Sequence, residues 1–255
     1  LSLNTDHCFS IITGPNGSGK TIYIKQVCLL IILAQIGCFV PCVACTITLR
    51  DRILARMGTK DDIEHSMSSF YTEMMETAYL LENVTSHSLV IIDELGKSTS
   101  NTDGLSIALA VSEALIEKEV YTLFVTHYPQ LVLLSDMYPQ VSNLHMKTSV
   151  DIERNKGIKF LHEIGTGSCE IKSGYGIAMA QYCGFSSALI TKAKAKLRLV
   201  RNKFPLLMQA PKADKTIHGV SLLLRHLKSL KAGSIQGDAL LSILDTLRQR
   251  VDRES

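Results

Sequence analysis

Short, uninterrupted apolar runs alternate along this chain with longer segments whose apolar positions recur every three or four residues. Ser10-Ile11-Ile12 reads as a short buried strand. Residues 14–19 form a glycine-rich turn that opens a strongly apolar helix over 20–36. Residues 41–56 read as one or two strands with a loop. A helix beginning at Ser68 sets Phe70, Met74, Thr77, Ala78 and Leu81 on one face. Residues 89–92 are a buried strand running into Asp93-Glu94, followed by a polar loop over 96–103 and a helix over 105–118. Residues 121–125 form another apolar strand, ending at Thr126-His127. Strand signals at 144–147 and 158–164 flank the turn formers Asn155-Lys156-Gly157 and predict a hairpin. From Ser186 the pattern is helical, over about 187–203, 216–231 and 238–251, with breaks at Pro205, Pro211 and 233–237. Strands alternating with helices predict an α/β fold: a mostly parallel sheet flanked by helices, with a C-terminal helical appendage.

Composition divides the chain in two. The net charge is only +3 over 255 residues, but residues 1–185 carry 13 basic and 19 acidic side chains, whereas 186–255 carry 14 and 5. The expected organisation is therefore a main domain over 1–185 and a basic helical region over 186–255. At 46% hydrophobic and 20% charged, the sequence can build a core and is neither a disordered tail nor a coiled coil. The longest apolar run, Val27 to Ala34, is too short to span a bilayer and reads as a buried core helix. The chain begins at Leu1, without Met or a secretory leader, which reads as a fragment of a longer protein. Seven cysteines at irregular spacing suit free thiols in a reducing compartment. Cys38, Cys42 and Cys45 have the spacing of a radical enzyme's iron–sulfur site, yet read better as small apolar residues leaving a buried helix.

The chemistry concentrates at three strand ends. Gly14-Pro15-Asn16-Gly17-Ser18-Gly19-Lys20-Thr21 matches G-x-x-x-x-G-K-[ST], with a strand before it and a helix after. Glycines there let backbone N–H groups converge on phosphate oxygens, and the helix N-terminus adds a favourable partial charge. Lys20 is expected to reach the β- and γ-phosphates of ATP, and the Thr21 hydroxyl to coordinate Mg²⁺. Asp93, at the end of the next buried strand, is expected to share the Mg²⁺ shell, and Glu94 to orient or deprotonate the attacking water. A second carboxylate at that place favours hydrolysis over phosphoryl transfer to another substrate. His127 is expected to donate to the γ-phosphate.

Taken together, Gly14-Pro15-Asn16, Asp93-Glu94-Leu95-Gly96, Thr99-Ser100, Asp103-Gly104 and Thr126-His127-Tyr128 resemble the ATPase domain of MutS-type DNA mismatch-repair proteins. Gln35-Ile36-Gly37, Val40-Pro41, Ser68-Ser69-Phe70, Glu73-Met74 and Tyr175-Gly176-Ile177-Ala178 extend the resemblance over roughly residues 5–200, and it leaves no place for an iron–sulfur cluster. Ala34-Gln35-Ile36-Gly37 and Asp61-Asp62-Ile63-Glu64 look most similar to the meiotic branch. The resemblance implies a P-loop NTPase fold of the ABC-ATPase type and ATP with Mg²⁺ as cofactors. It implies a nuclear protein that pairs with a second MutS homologue, and DNA gripped mainly by domains outside this chain. It also implies that Ser68 contacts the γ-phosphate held by the partner subunit and that His162 lies beside the adenine. Without the resemblance, Ser68 is simply a good helix cap.

Several positions depart from the family pattern. Gly17 replaces a methionine, Ile22 a hydroxyl residue, and Lys97-Ser98 an Arg-Gly pair. If that glycine needs a positive φ, Ser98 carries strain of about 1 kcal/mol, and hydrolysis is then expected to be slow. In the tail, Lys192, Lys194, Lys196, Arg198, Arg201 and Lys203 wrap around a helix whose Ala188, Leu189, Ala193, Leu197 and Val200 are expected to face the core. The leucine-rich pair of helices beyond it is expected to support dimerisation, with DNA contact secondary. The function expected is an ATP-hydrolysing dimerisation module that switches a DNA clamp in meiotic recombination. The alternatives are a mismatch-repair homologue and a nucleotide-gated scaffold that does not hydrolyse.

Overall fold

The apolar runs become strands because each is covered on both faces, which only helices packed on either side of a sheet can do. The computed structural model describes residues 3–4, 7–58, 69–151, 157–167 and 175–203. Six strands form one sheet in the order β2-β3-β4-β1-β5-β6: β1 (Phe9–Thr13), β2 (Ile53–Arg56), β3 (Leu89–Asp93), β4 (Tyr121–Val125), β5 (Val141–Asp151) and β6 (Gly157–Thr166). All neighbours pair in parallel except β5 and β6, the expected hairpin, which is antiparallel and irregular between Met146 and Thr148.

Two cores lie on the two faces. On one, Phe9, Ile11, Val90, Ile92 and Phe124 pack against α2 (Ser69–Asn83) and α3 (Asn101–Glu117), with Leu80, Val111 and Leu115 buried among them. On the other, Ile12, Leu89, Ile91, Leu123 and Val125 meet Ile24, Cys28 and Ile31 of α1 (Lys20–Gln35). A 3-10 turn (Pro129–Leu133) and a short α4 (Leu134–Met137) lead into β5. Helices α5 (Tyr175–Tyr182) and α6 (Ser187–Lys203) follow the hairpin. Helix 187–203 lies within the same compact unit as the sheet, residues 1–203. The expected helices at 216–231 and 238–251 lie outside the described residues.

Several expectations change. Helix α1 is not buried all round: its inner stripe is covered, while Ile22 and Leu29 are 73% and 60% exposed, and Ile36, which caps its C-terminus, is 67% exposed. A uniformly apolar helix carries no periodic signal to show that one side faces outward. Cys38, Cys42 and Cys45 are likewise exposed rather than packed. Residues 41–52 form no strand; Gln35 instead ties that connection down through two hydrogen bonds to the backbone of Arg50. Helix α3 starts at Asn101, four residues early, because the Ser100 hydroxyl accepts the Asp103 N–H as an N-cap. On α6 it is Ile190 that is buried, whereas Leu189 is 50% exposed. Among the described residues no helix is long and apolar enough to cross a membrane.

The loop after β3 packs directly on α3. Gly96 has φ 83, and a Cβ there would lie 2.6 Å from the Gly104 carbonyl oxygen. A Cβ on Gly104 would run into the Gly96 carbonyl and the Tyr128 hydroxyl, which donates to that carbonyl at 2.8 Å. Gly104→Ala should therefore lower unfolding stability by about 2–3 kcal/mol, read as a lower denaturant midpoint at unchanged m-value. A shift below about 0.5 kcal/mol would show that the two backbones can part freely.

Candidate functional site

The site lies beyond the carboxyl ends of β1, β3 and β4, where ligands bind in open parallel sheets. The chain leaves β1 through the glycine-rich loop. Gly14, Pro15 and Ser18 are buried, and Asn16 and Gly17 are exposed at its tip. Gly19, at φ 100, is the N-cap of α1; no side chain caps that end, and no acidic residue occupies its first turn. The helix thus points its N-terminal N–H groups and positive dipole end at the loop. Lys20 is buried, its Nζ donating to the carbonyls of Gly14 at 2.9 Å and Pro15 at 3.2 Å, with Glu94 Oε1 4.0 Å away.

Thr21, one residue further, closes the gap to β3: its hydroxyl donates to Asp93 Oδ2 at 2.6 Å. Asp93 is buried, and its Oδ1 has no hydrogen-bond partner. Burial pushes its carboxyl above the usual range, with the Thr21 hydrogen bond and the charges of Lys20 and Arg56 working against that. A hydroxyl paired with a buried carboxylate that keeps one oxygen unsatisfied suits a hard divalent cation, which takes oxygen ligands and would supply the missing positive charge. Thr21 and Asp93 are the residues that would hold it.

Glu94 sits in a left-handed backbone conformation, φ 53, with its N–H bonded to the Val125 carbonyl at 2.9 Å. For a non-glycine residue that costs on the order of 1–2 kcal/mol, so the surroundings must hold it. Its carboxylate lies between Lys20 and Lys97, whose Nζ donates to Oε2 at 2.7 Å. Burial alone would raise the Glu94 carboxyl, but the hydrogen bond and charge of Lys97, with Lys20 and His127, hold it below the ordinary carboxylate range. His127 stands exposed at the end of β4. Partial desolvation, opposed by the charge of Glu94, keeps its imidazole below the ordinary value and therefore neutral near pH 7.

Thr21, Asp93, Glu94, Lys97, Ser98 and Ser69 line one cavity of about 370 Å³, together with Arg56 and Glu73. Ser68 lies outside the described residues, but its neighbour Ser69 opens α2 at the cavity wall. His162 stands apart from the acidic pair. It reaches the outer side of the glycine loop from β6, with Nδ1 3.1 Å from the Ser18 carbonyl and its backbone at φ 55. Phe160, its neighbour on β6, approaches Gly17. Ser98 has no positive φ, so the strain expected there does not arise.

The sequence reading missed three contributors. Arg56 is the last residue of β2, Glu73 interrupts the inner face of α2 between Phe70 and Thr77, and Lys97 pairs with Glu94. A carboxylate in register with a helix's apolar face was the signal available for Glu73. Lys97→Met should raise the titration point of the Glu94 carboxyl, since the removed hydrogen bond and charge both favour its ionised form. Carboxyl-labelled NMR titration measures this; an unmoved or lowered value contradicts the pairing.

A family model described as MutS domain V matches residues 10–201. DNA mismatch repair protein MSH4 of Arabidopsis thaliana is 42% identical over 193 residues, which cover 76% of this chain and 24% of that protein. The chain thus spans about a quarter of the length of that curated relative. The family match runs from within the first buried strand to residue 201 in α6, across every strand end that builds the site, and the chain belongs to the MutS family.

Proposed function

We propose that the chain is the ATP-binding and ATP-hydrolysing dimerisation module of a MutS-type protein, its Asp93–Thr21 pair serving Mg²⁺·ATP. The observation that carries the reading is the meeting of Thr21, Asp93 and Glu94 at one cavity, with the 2.6 Å Thr21–Asp93 bond at its centre and Lys20 Nζ 4.0 Å from Glu94. The P-loop, residues 14–21, cradles the phosphates with its N–H groups and Lys20. Mg²⁺, when bound, neutralises charge on the phosphate oxygens. Glu94 takes the proton of the attacking water as the new oxygen–phosphorus bond forms. The bond from the γ-phosphorus to the bridging oxygen breaks, and ADP leaves with that electron pair. His127 donates to the γ-phosphate, His162 stands beside the adenine, and Ser68 reaches the nucleotide of the other subunit.

MutS-family proteins are generally ATPases, bind DNA and form dimers, which supports extending the reading to the whole protein. In that protein ATP closes a heterodimer of two MutS homologues and switches a clamp on DNA, and hydrolysis resets it. The resemblance of Ala34-Gln35-Ile36-Gly37 and Asp61-Asp62-Ile63-Glu64 to the meiotic branch supports a nuclear role in meiotic recombination on branched intermediates, with mismatch repair, for which the Arabidopsis relative is named, as the alternative. One observation favours a second reading, a nucleotide-gated scaffold that does not hydrolyse: Lys97 occupies an oxygen of Glu94.

Steady-state ATP turnover by the assembled heterodimer separates the two. Glu94→Gln should lower kcat by about 10²–10⁴-fold while nucleotide still binds, as expected for removal of a general base. Equal rates for wild type and Glu94→Gln would sink the enzymatic reading. Lys20→Ala should abolish nucleotide binding, measured by equilibrium fluorescence titration, and full retention would contradict the phosphate site.

A further inference from the structure

Behind the acidic pair lie two buried, oppositely charged side chains. Glu73 of α2 is 1% exposed and Arg56 of β2 is 6% exposed. Oε1 of Glu73 accepts the Gly96 N–H at 2.7 Å and lies 3.3 Å from Arg56 Nη2; Arg56 Nε is 3.5 Å from Glu76 Oε2. Gly96 is also held on its other side, where its carbonyl accepts the Tyr128 hydroxyl. Two residues upstream is Glu94, at its positive φ. Such a conformation persists only where the surroundings over-determine it. Here the restraints are the Glu94 N–H bond to Val125 on one side and the doubly bonded Gly96 on the other. A buried ion pair is a poor source of stability in itself, because desolvation offsets its attraction. Its geometry at this place serves a different end.

We propose that Glu73 is a positioning residue for hydrolysis: anchored by Arg56, it accepts the Gly96 N–H and so holds Glu94 in the backbone conformation that turns its carboxylate toward Lys20 and the cavity. The proposal rests on the reading of Glu94 as the residue that activates water. Because Glu73 rides on α2, a displacement of that helix would reach Glu94 through the Gly96 hydrogen bond. Among the described residues Glu73 lines the same cavity but makes no hydrogen bond to the glycine loop or to Thr21, so its loss should act on turnover more than on nucleotide affinity.

Two double variants of the assembled, full-length protein test this. Glu73→Gln with Arg56→Met keeps an amide oxygen for the Gly96 N–H and removes both buried charges, so any effect of the lost Arg56 charge on Asp93 is already present in it. Glu73→Leu with Arg56→Met removes the acceptor as well. Relative to the Gln variant it should lower kcat by about tenfold or more, as a small misplacement of a reacting group does, with the dissociation constant for Mg²⁺·ATP changed less than about threefold between the two. Hydrogen exchange at the Gly96 amide should be faster in the Leu variant alone. Equal kcat in the folded Gln and Leu variants overturns the proposal, and so does parallel loss of binding and turnover from one to the other. If the Leu variant does not fold, wild-type kcat in a Gln variant whose Gly96 amide exchanges freely overturns it. Glu94→Gln in the same assay keeps the two ideas apart. Should it turn over like wild type, the role of Glu94 falls and this proposal with it; should it be inactive beside an unimpaired Leu variant, only the positioning role falls.

Discussion

Parallel pairing in one register is the constraint on which the site depends. Val125 stands opposite Ile12 on one side and Asp93 on the other, so the ends of β1, β4 and β3 form a single row. Neighbouring strands are about 4.8 Å apart, and β4 therefore leaves a gap of roughly 10 Å between the strand that launches the glycine loop and the strand that ends in the carboxylates. The first turn of α1 crosses this gap, and Thr21 meets Asp93 at 2.6 Å. A slip of one residue in β3 would turn Asp93 to the opposite face and leave Thr21 without its partner. The cores on both faces exist to fix this register, since every residue of β1 and β3 is buried.

The electrostatic arrangement follows from that row. Two carboxylates, adjacent in sequence, face different surroundings. Asp93 is buried and lifted above its ordinary range, and Glu94 lies among cations and is held below it. One is suited to receive a cation that relieves its burial, the other to remain ionised beside Lys20. The left-handed turn at Glu94 separates their directions, and Gly96, packed on Gly104, lets the chain come back onto α3 immediately afterwards.

Much of this was legible in the residues. Strands covered on both faces read as unbroken apolar runs, so β1, β3 and β4 stood out, and the glycine loop and Asp93-Glu94 announced themselves by type and spacing. Strand order was not legible beyond the β5–β6 hairpin, because nothing in β2 states which neighbour it takes and nothing in β5 states that its other neighbour is β1. Helix α5 escaped because its eight residues, Tyr175–Tyr182, are too few to display a period. The exposed side of α1 was hidden by the very uniformity that made the helix easy to find. Arg56 and Glu73 were invisible as a pair, since residues from a strand and a helix meet only after folding. Their long-range contact has no sequence spacing to betray it.

The left-handed backbone at Glu94 also sets folding and chemistry against each other at one residue. Glycine adopts that conformation without strain, so the fold considered alone would gain from glycine there, up to its entropic cost in the unfolded chain. A laboratory screen that rewarded only heat tolerance or yield would therefore tend to erase the carboxylate. Under the proposed role of Glu94, the glutamate found there sets backbone ease aside in favour of turnover.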